Sequence, residues 1–175
     1  MDERRLADWL MAQAAQGDGE AFGRLAELVG PAIFRFCLAQ LPPGMRDLAG
    51  DLRQECLLRA FQARSRFRRG AAVRPWLMGI AMNLVRERRR YRPHQPLDRD
   101  PPAAARDRPA SESEDLQRAV EALPDRQREA VVCRFLRGLS VAETAQAMGC
   151  AEGTVKATVF KAIATLRSQL SDEHE

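Results

Sequence analysis

Lysine is almost missing from this chain of 175 residues. Only two of its 28 basic residues, Lys156 and Lys161, are lysines, and both fall in one stretch near the C-terminus. The other 26 are arginines. Histidine is just as scarce, with only His94 and His174. The four cysteines, Cys37, Cys56, Cys133 and Cys150, stand far apart with no C-x-x-C pair. Zinc sites draw on tight Cys and His pairs, so no metal site and no cofactor are expected, and the cysteines read as buried free thiols. No apolar run reaches the length of about 18 residues that a membrane span needs. The N-terminal MDERRLADWLMAQAAQGDGE lacks the apolar core and cleavage site of a signal peptide. The expectation is therefore a cytoplasmic protein with no membrane insertion. Nor is there a nucleophile–base set or a phosphate-binding loop, which argues against an enzyme with a small-molecule substrate.

What is present is helical and basic. Hydrophobic residues make up 45% and charged residues 30%, the balance of a globular chain rather than a disordered one. The net charge of +4 permits a polyanionic partner without requiring one. Arginine suits phosphate and base-edge contacts because its guanidinium fork is bidentate. A GC-rich genome accounts for the arginine bias equally well.

Apolar residues recur at helical spacing throughout, and strand alternation is absent. Helices are expected over about 5–16, from Ala21 to the Gly30-Pro31 pair, from there to Leu41, over about 46–63, and over about 75–91. Residues 93–112, PHQPLDRDPPAAARDRPASE, contain almost nothing to bury and read as a flexible linker. Helices near 114–122 and 125–137 follow, then GLSVAETAQAMGCAEGTVKATVFKAIATLR. The predicted fold is all-α, with two small helical domains at 1–92 and 113–175 joined by the 93–112 linker. Both histidines lie in stretches where solvation is the expected state.

The stretch from Gly138 to Arg167 fits a helix-turn-helix. Ser140 and Glu143 stand at capping-box spacing. Ala145 is small where two helices must cross, and Gly149 falls where the turn needs positive φ. Val155 and Val159 supply the buried side of the second helix. The exposed positions of that helix are then Glu152, Thr154, Lys156, Ala157, Thr158 and Lys161, short or cationic groups able to approach a major groove. Phe160 is ambiguous, a core position being the commoner fate of such a residue. An ordinary helical hairpin that binds nothing is the bland alternative.

The first module gathers arginine beside aromatic residues. Arg64, Arg66, Arg68, Arg69 and Arg74 lie in or near FRRGAAVRPW, and Arg86, Arg88, Arg89, Arg90 and Arg92 crowd the end of the next helix. Phe61, Phe67, Trp76 and Tyr91 are interleaved with them. Such a mixture suits single-stranded DNA, whose bases stack on rings while phosphates meet guanidinium groups. A solvated basic face over a Phe/Trp core fits equally well.

DLRQECLLRAFQARSRFRRGAAVRPWLMGIAMNLVRERRR resembles the second region of bacterial sigma factors, and LPDRQREAVVCRFLRGLSVAETAQAMGCAEGTVKATVFKAIATLR resembles their fourth. With these two regions and a short linker, the chain resembles an extracytoplasmic-function (ECF) sigma factor of the sigma-70 family. The resemblance implies partners in core RNA polymerase, promoter DNA and an anti-sigma factor. It implies docking of Asp51, Gln54 and Glu55 on the clamp helices of the polymerase largest subunit. It implies that the loop from Phe67 to Trp76, including Arg68, Arg69 and Arg74, captures a flipped base of the −10 element beside Asn83. Arg86, Arg89 and Arg90 match the helix at the upstream edge of that element, and the helix from Glu152 would read the −35 element. Three departures stand out. Gly79 replaces the Arg of the family's RIAxN pattern, LAGD replaces an acidic D-A-E-D run, and Ala157-Thr158 replaces Ser-Arg.

The resemblance implies a transcription initiation factor. The alternatives are a free-standing helix-turn-helix regulator, which predicts a dimer and a palindromic operator, and a sigma-like adaptor that binds an anti-sigma factor. A linker of roughly 20 residues spans at most about 65 Å extended but only about 25 Å as a coil. Two DNA elements one to two turns apart lie about 35–70 Å from each other. Isolated protein is therefore expected to bind promoter duplex weakly.

Overall fold

The computed structural model of the protein describes residues 2–91 and 112–172, and among these described residues all regular structure is helical. Helix α1 (Glu3–Ala15) buries Ala7, Leu10, Met11 and Ala14 on one stripe and ends before Gly17, whose φ of 106° suits glycine alone. Helix α2 (Gly19–Gln40) opens on Asp18, whose carboxylate accepts the Ala21 N–H at 2.9 Å. The break predicted at Gly30-Pro31 does not occur: α2 passes straight through Pro31. Gly30 has no Cβ to meet the proline ring. Phe22, Leu25 and Val29 before it, and Ile33, Phe36 and Cys37 after it, form one buried stripe. An interior proline costs about 3 kcal/mol, whereas each large apolar side chain gains about 1.5–3 kcal/mol by burial. The stripe wins.

A 3₁₀ segment (Pro43–Leu48) leads into α3 (Ala49–Ala63). A shorter one (Arg64–Arg66) and a loop turning at Gly70, φ 77°, lead into α4 (Val73–Tyr91). The start of α4 lies two residues ahead of the predicted Pro75. Its first N–H, that of Val73, donates to Asp8 Oδ1 at 2.8 Å, so α1 caps α4. Pro75 still sits in the first turn, where no helical donor is required.

The second module holds α5 (Glu112–Ala122), α6 (Asp125–Val131), α7 (Val141–Met148) and α8 (Glu152–Asp172). The single helix predicted over 125–137 instead widens after α6 into a π turn (Val132–Leu136). There the Arg137 N–H reaches the Val132 carbonyl at 2.9 Å, and the Leu139 N–H reaches that of Cys133 at 3.0 Å. Of the predicted linker only Glu112 is described, and it opens α5. The rest of the linker, His94 and His174 lie outside the described residues.

The main hydrophobic core crosses from one module to the other. Ala130, Val132, Cys133, Leu139, Ala145 and Met148 join the buried residues of α1 to α4. A smaller cluster of Leu123, Val131 and Ala162 ties α6 to α8. Cys37, Cys56 and Cys133 are buried free thiols as expected, while Cys150 is half-buried. Burial pushes the first three up to about 12. Among the described residues, no helix is long and apolar enough to cross a membrane.

Candidate nucleic-acid interface

The helix-turn-helix is built by local chemistry. Ser140 Oγ accepts the Glu143 N–H at 3.1 Å, and the Ser140 N–H donates back to Glu143 Oε2 at 2.7 Å. This capping box satisfies two donors that the start of α7 would otherwise leave free. Gly149 ends α7 in the left-handed region, φ 65° and ψ 43°. Ala145 and Val155 are buried at the crossing, and Val159 is half-buried. Helix α8 then exposes Glu152, Gly153, Thr154, Lys156, Ala157 and Lys161, with Thr158 half-buried.

The same face carries Phe160, which the sequence left ambiguous and which is 77% exposed. At about 100° per residue, Phe160 falls between Lys156 and Ala157 around the helix and about 140° from buried Val155. That angular offset is the signal by which the sequence could have placed it on the surface.

In the first module the rings of Phe67 and Trp76 pack with centroids 5.0 Å apart. Both are half-buried, and the loop between them carries exposed Arg68 and Arg69. Trp76, Gly79, Asn83 and Arg86 of α4 line a cleft of about 430 Å³, closed on its other side by Gln146 and Met148 of α7. Trp76, Asn83 and Arg86 are thus brought together, while Arg90 stays exposed at the far end of α4.

The remaining arginines of this set are already engaged. Arg74 donates to Glu3 Oε1 at 2.7 Å. Arg86 grips Glu129 with both arms of its fork, Nε to Oε1 at 2.7 Å and Nη2 to Oε2 at 2.6 Å. The Glu129 side chain is only 4% exposed and also accepts from Arg126 at 3.2 Å. The hydrogen bonds that Arg86 donates to the Glu129 carboxylate hold its guanidinium above its ordinary pKa. Arg89 pairs with Asp125 and donates to the Gln40 carbonyl.

Asp51 and Gln54 are exposed on one face of α3, with Glu55 half-buried beside them. Glu55 accepts from Arg59 at 2.9 Å, and Arg59 also binds Glu87 at 3.0 and 3.1 Å. Arg59 holds the Glu87 carboxyl below its usual range. These side chains are nearly half exposed, so solvent screening leaves them little weight in stability. Leu58, one and two turns along the same face, is 51% exposed. Sequence reasoning passed over it, although it lies opposite buried Cys56 and Ala60.

Family models described as "Sigma-70 region 2" and "Sigma-70, region 4" match residues 25–93 and 113–166. The ECF RNA polymerase sigma factor BldN of Streptomyces coelicolor is 34% identical, over 98% of this chain and 68% of that protein. SigM of Mycobacterium tuberculosis, another ECF RNA polymerase sigma factor, is 38% identical over 94% of this chain and 84% of its own length. Among solved structures, CnrH in complex with the cytosolic domain of CnrY gives a TM-score of 0.75 at 26% identity, covering 95% of this chain and 98% of that one. The sigma factor RpoE of Bartonella quintana, in complex with the anti-sigma factor NepR, gives 0.70 at 26% identity over 86% and 96%.

Proposed function

The chain belongs to the sigma-70 family, among its ECF RNA polymerase sigma factors, and from that premise we propose how its helices divide the work of initiation. The protein binds core RNA polymerase, directs it to promoters with −35 and −10 elements, and promotes initiation without being an enzyme. Region 2 extends over 1–92 and region 4 over 113–175, with 93–112 between them. The cytoplasm, where polymerase works, is the place of action. An anti-sigma factor is the inhibitory partner of this chain; the Bartonella sigma factor is seen in complex with the anti-sigma factor NepR.

Helix α3 docks on the polymerase through Asp51, Gln54 and Glu55, with Leu58 adding apolar contact on the same face. The Phe67–Trp76 loop, with Arg68, Arg69, Arg74 and Asn83, receives an unstacked base of the −10 strand. Flipping a base costs a few kcal/mol, and stacking on an aromatic ring returns about 1–3 kcal/mol per base. The ring pair and its arginines are therefore enough to offset the flip. Arg86, Arg89 and Arg90 meet the upstream edge of the same element. Helix α8 lies in the major groove of the −35 element, where Lys156 and Lys161 meet phosphates or base edges. Glu152, Thr154, Ala157 and Thr158 are short enough to let the helix approach.

The observation that carries this reading is the exposed α8 face, where Lys156, Lys161 and Phe160 stand among short residues, led in by a complete capping box and a left-handed Gly149. The test is run-off transcription with purified core polymerase on sheared host DNA, with start sites mapped. Discrete starts sharing two upstream elements are the expected result. No stimulation by a folded, inhibitor-free sample would sink it.

A further inference from the structure

We propose that the α4 face bearing Gly79, Asn83 and Arg86 is a docking surface for this chain's own helix-turn-helix, so that region 4 roofs the −10 pocket until the two modules part. This rests on the assignment of that pocket to −10 DNA given above. Three independent observations support it. The first is the close approach of backbone. A Cβ built on Gly79 would stand 3.3 Å from the Ala147 carbonyl oxygen of α7, so an alanine there needs α7 to give by a few tenths of an ångström, and a side chain as long as arginine has to displace it. Gly79 is also the position at which this chain departs from the family's RIAxN pattern, where an arginine stands. The substitution that removes an arginine from the pocket is the one that lets α7 lie against α4.

The second is electrostatic. Arg86 and Arg89, both candidate DNA contacts, are paired across the module boundary with Glu129 and Asp125. The two carboxylates neutralise guanidinium groups that would otherwise be free to meet backbone phosphates. Glu129 is the stronger latch, because it is buried, gripped by both arms of Arg86, and supported by Arg126. A third ion pair, Arg46 to Glu121, closes the same boundary further along.

The third is the asymmetry of what stays open. Trp76 and Asn83 share their cleft with Gln146 and Met148 of α7. Glu152, Lys156, Phe160 and Lys161 of α8 remain exposed, as do Asp51, Gln54 and Leu58 of α3. The closed chain can therefore present its polymerase-docking and −35 faces while its −10 pocket is withheld. A partner that shifts this equilibrium must bind the open form better than the closed one. Extended polymerase and promoter DNA, engaging both modules at once, meet that condition.

The test uses the full chain and three variants, Gly79→Arg, Glu129→Arg and the charge swap Arg86→Glu with Glu129→Arg. Circular dichroism first verifies that helix content is retained. Small-angle scattering of a single compact body of this length gives a radius of gyration of about 16 Å. That value is expected for the unmodified chain. Gly79→Arg and Glu129→Arg should raise it by roughly a third as the modules part to the reach of a coil linker. The charge swap should restore compactness, which a merely structural role for Glu129 would not do. In run-off transcription, Gly79→Arg and Glu129→Arg should need several-fold less protein for half-maximal starts, because the binding-competent fraction rises.

An unmodified chain already expanded in solution, or a Gly79→Arg chain as compact as the original, overturns closure. Expansion of both variants with no change in the protein required shows that closure withholds nothing, and overturns the proposal too. If no variant supports run-off yet the scattering results hold, closure stands as a conformational fact. The sigma reading, and the −10 role of the roofed pocket with it, then falls.

Discussion

Side chains of one chemical type meet different fates in this chain, and burial decides which. Cys37, Cys56 and Cys133 are held as neutral thiols by burial, their pKa values pushed up to about 12. In the unfolded chain a thiol ionises near about 8.5. The stabilising preference for the neutral form is therefore whole below pH 8.5 and is lost as pH rises toward 12. The loss is at most about 1.4 kcal/mol per pH unit for each thiol. We expect denaturation midpoints measured from pH 8 to pH 10.5 to fall progressively, and the fall to shrink when Cys37 and Cys56 are both replaced by Ala. In the native chain at pH 8, a thiol-reactive chromophore should titrate Cys150 and leave the other three until unfolding. Phe160 is the converse case, apolar yet 77% exposed. Phe160→Ala should leave thermal stability within about 0.5 kcal/mol of the original while lowering run-off from promoters carrying the −35 element. A stability loss of core size would return Phe160 to the interior. The sequence made the thiols legible because isolated cysteines have few other uses. It left Phe160 open because a phenylalanine on a helix is more often buried.

Elements were legible where a local device fixes them. Ser140, Glu143 and Gly149 form a cap and a stop within a dozen residues, and the observed bonds and dihedrals match that reading. Gly30-Pro31 misled because the local rule there was outweighed by partners distant in sequence: α1, α3 and α4 all pack on α2 and hold both halves of one stripe in line. The π turn after α6 leaves no mark in the periodicity either, since it depends on where Leu139 is buried. Two substitutions test the local devices. Ser140→Ala removes the cap and should cost about 1 kcal/mol. Gly149→Ala forces a Cβ into the left-handed region and should cost about 1–2 kcal/mol. Both are read from thermal melting. A Gly149→Ala chain as stable as the original would mean that the turn can re-form with negative φ, and the α7–α8 angle would then not be fixed by Gly149.

At the scale of the whole molecule the sequence predicted two helical units with a tether, and the two units are there, but it held no hint that they share a core. Nothing in the spacing of apolar residues shows that Ala145 and Met148 pack with the residues of α1 to α4. A contact between surfaces separated by a linker leaves no periodicity of its own. Its trace is a single unexpected glycine at position 79 and acids placed opposite arginines. The shared core has a thermodynamic consequence that separates it from mere proximity. Units joined only by a tether melt independently, whereas units that bury common apolar surface melt together. The chain is therefore expected to show one calorimetric transition, with calorimetric and van't Hoff enthalpies equal. The size of the Ser140→Ala shift provides a second reading of the same question. A loss of about 1 kcal/mol lowers the midpoint by about 2–4 °C when the cooperative unit has 150–250 residues, but by about 4–8 °C when it has 60–100. A shift in the lower range, with Gly79→Arg splitting the melt into two transitions, is the outcome that a shared core requires. Two resolved transitions in the unmodified chain, with only the second moved by Ser140→Ala, would mean that region 4 folds without leaning on region 2.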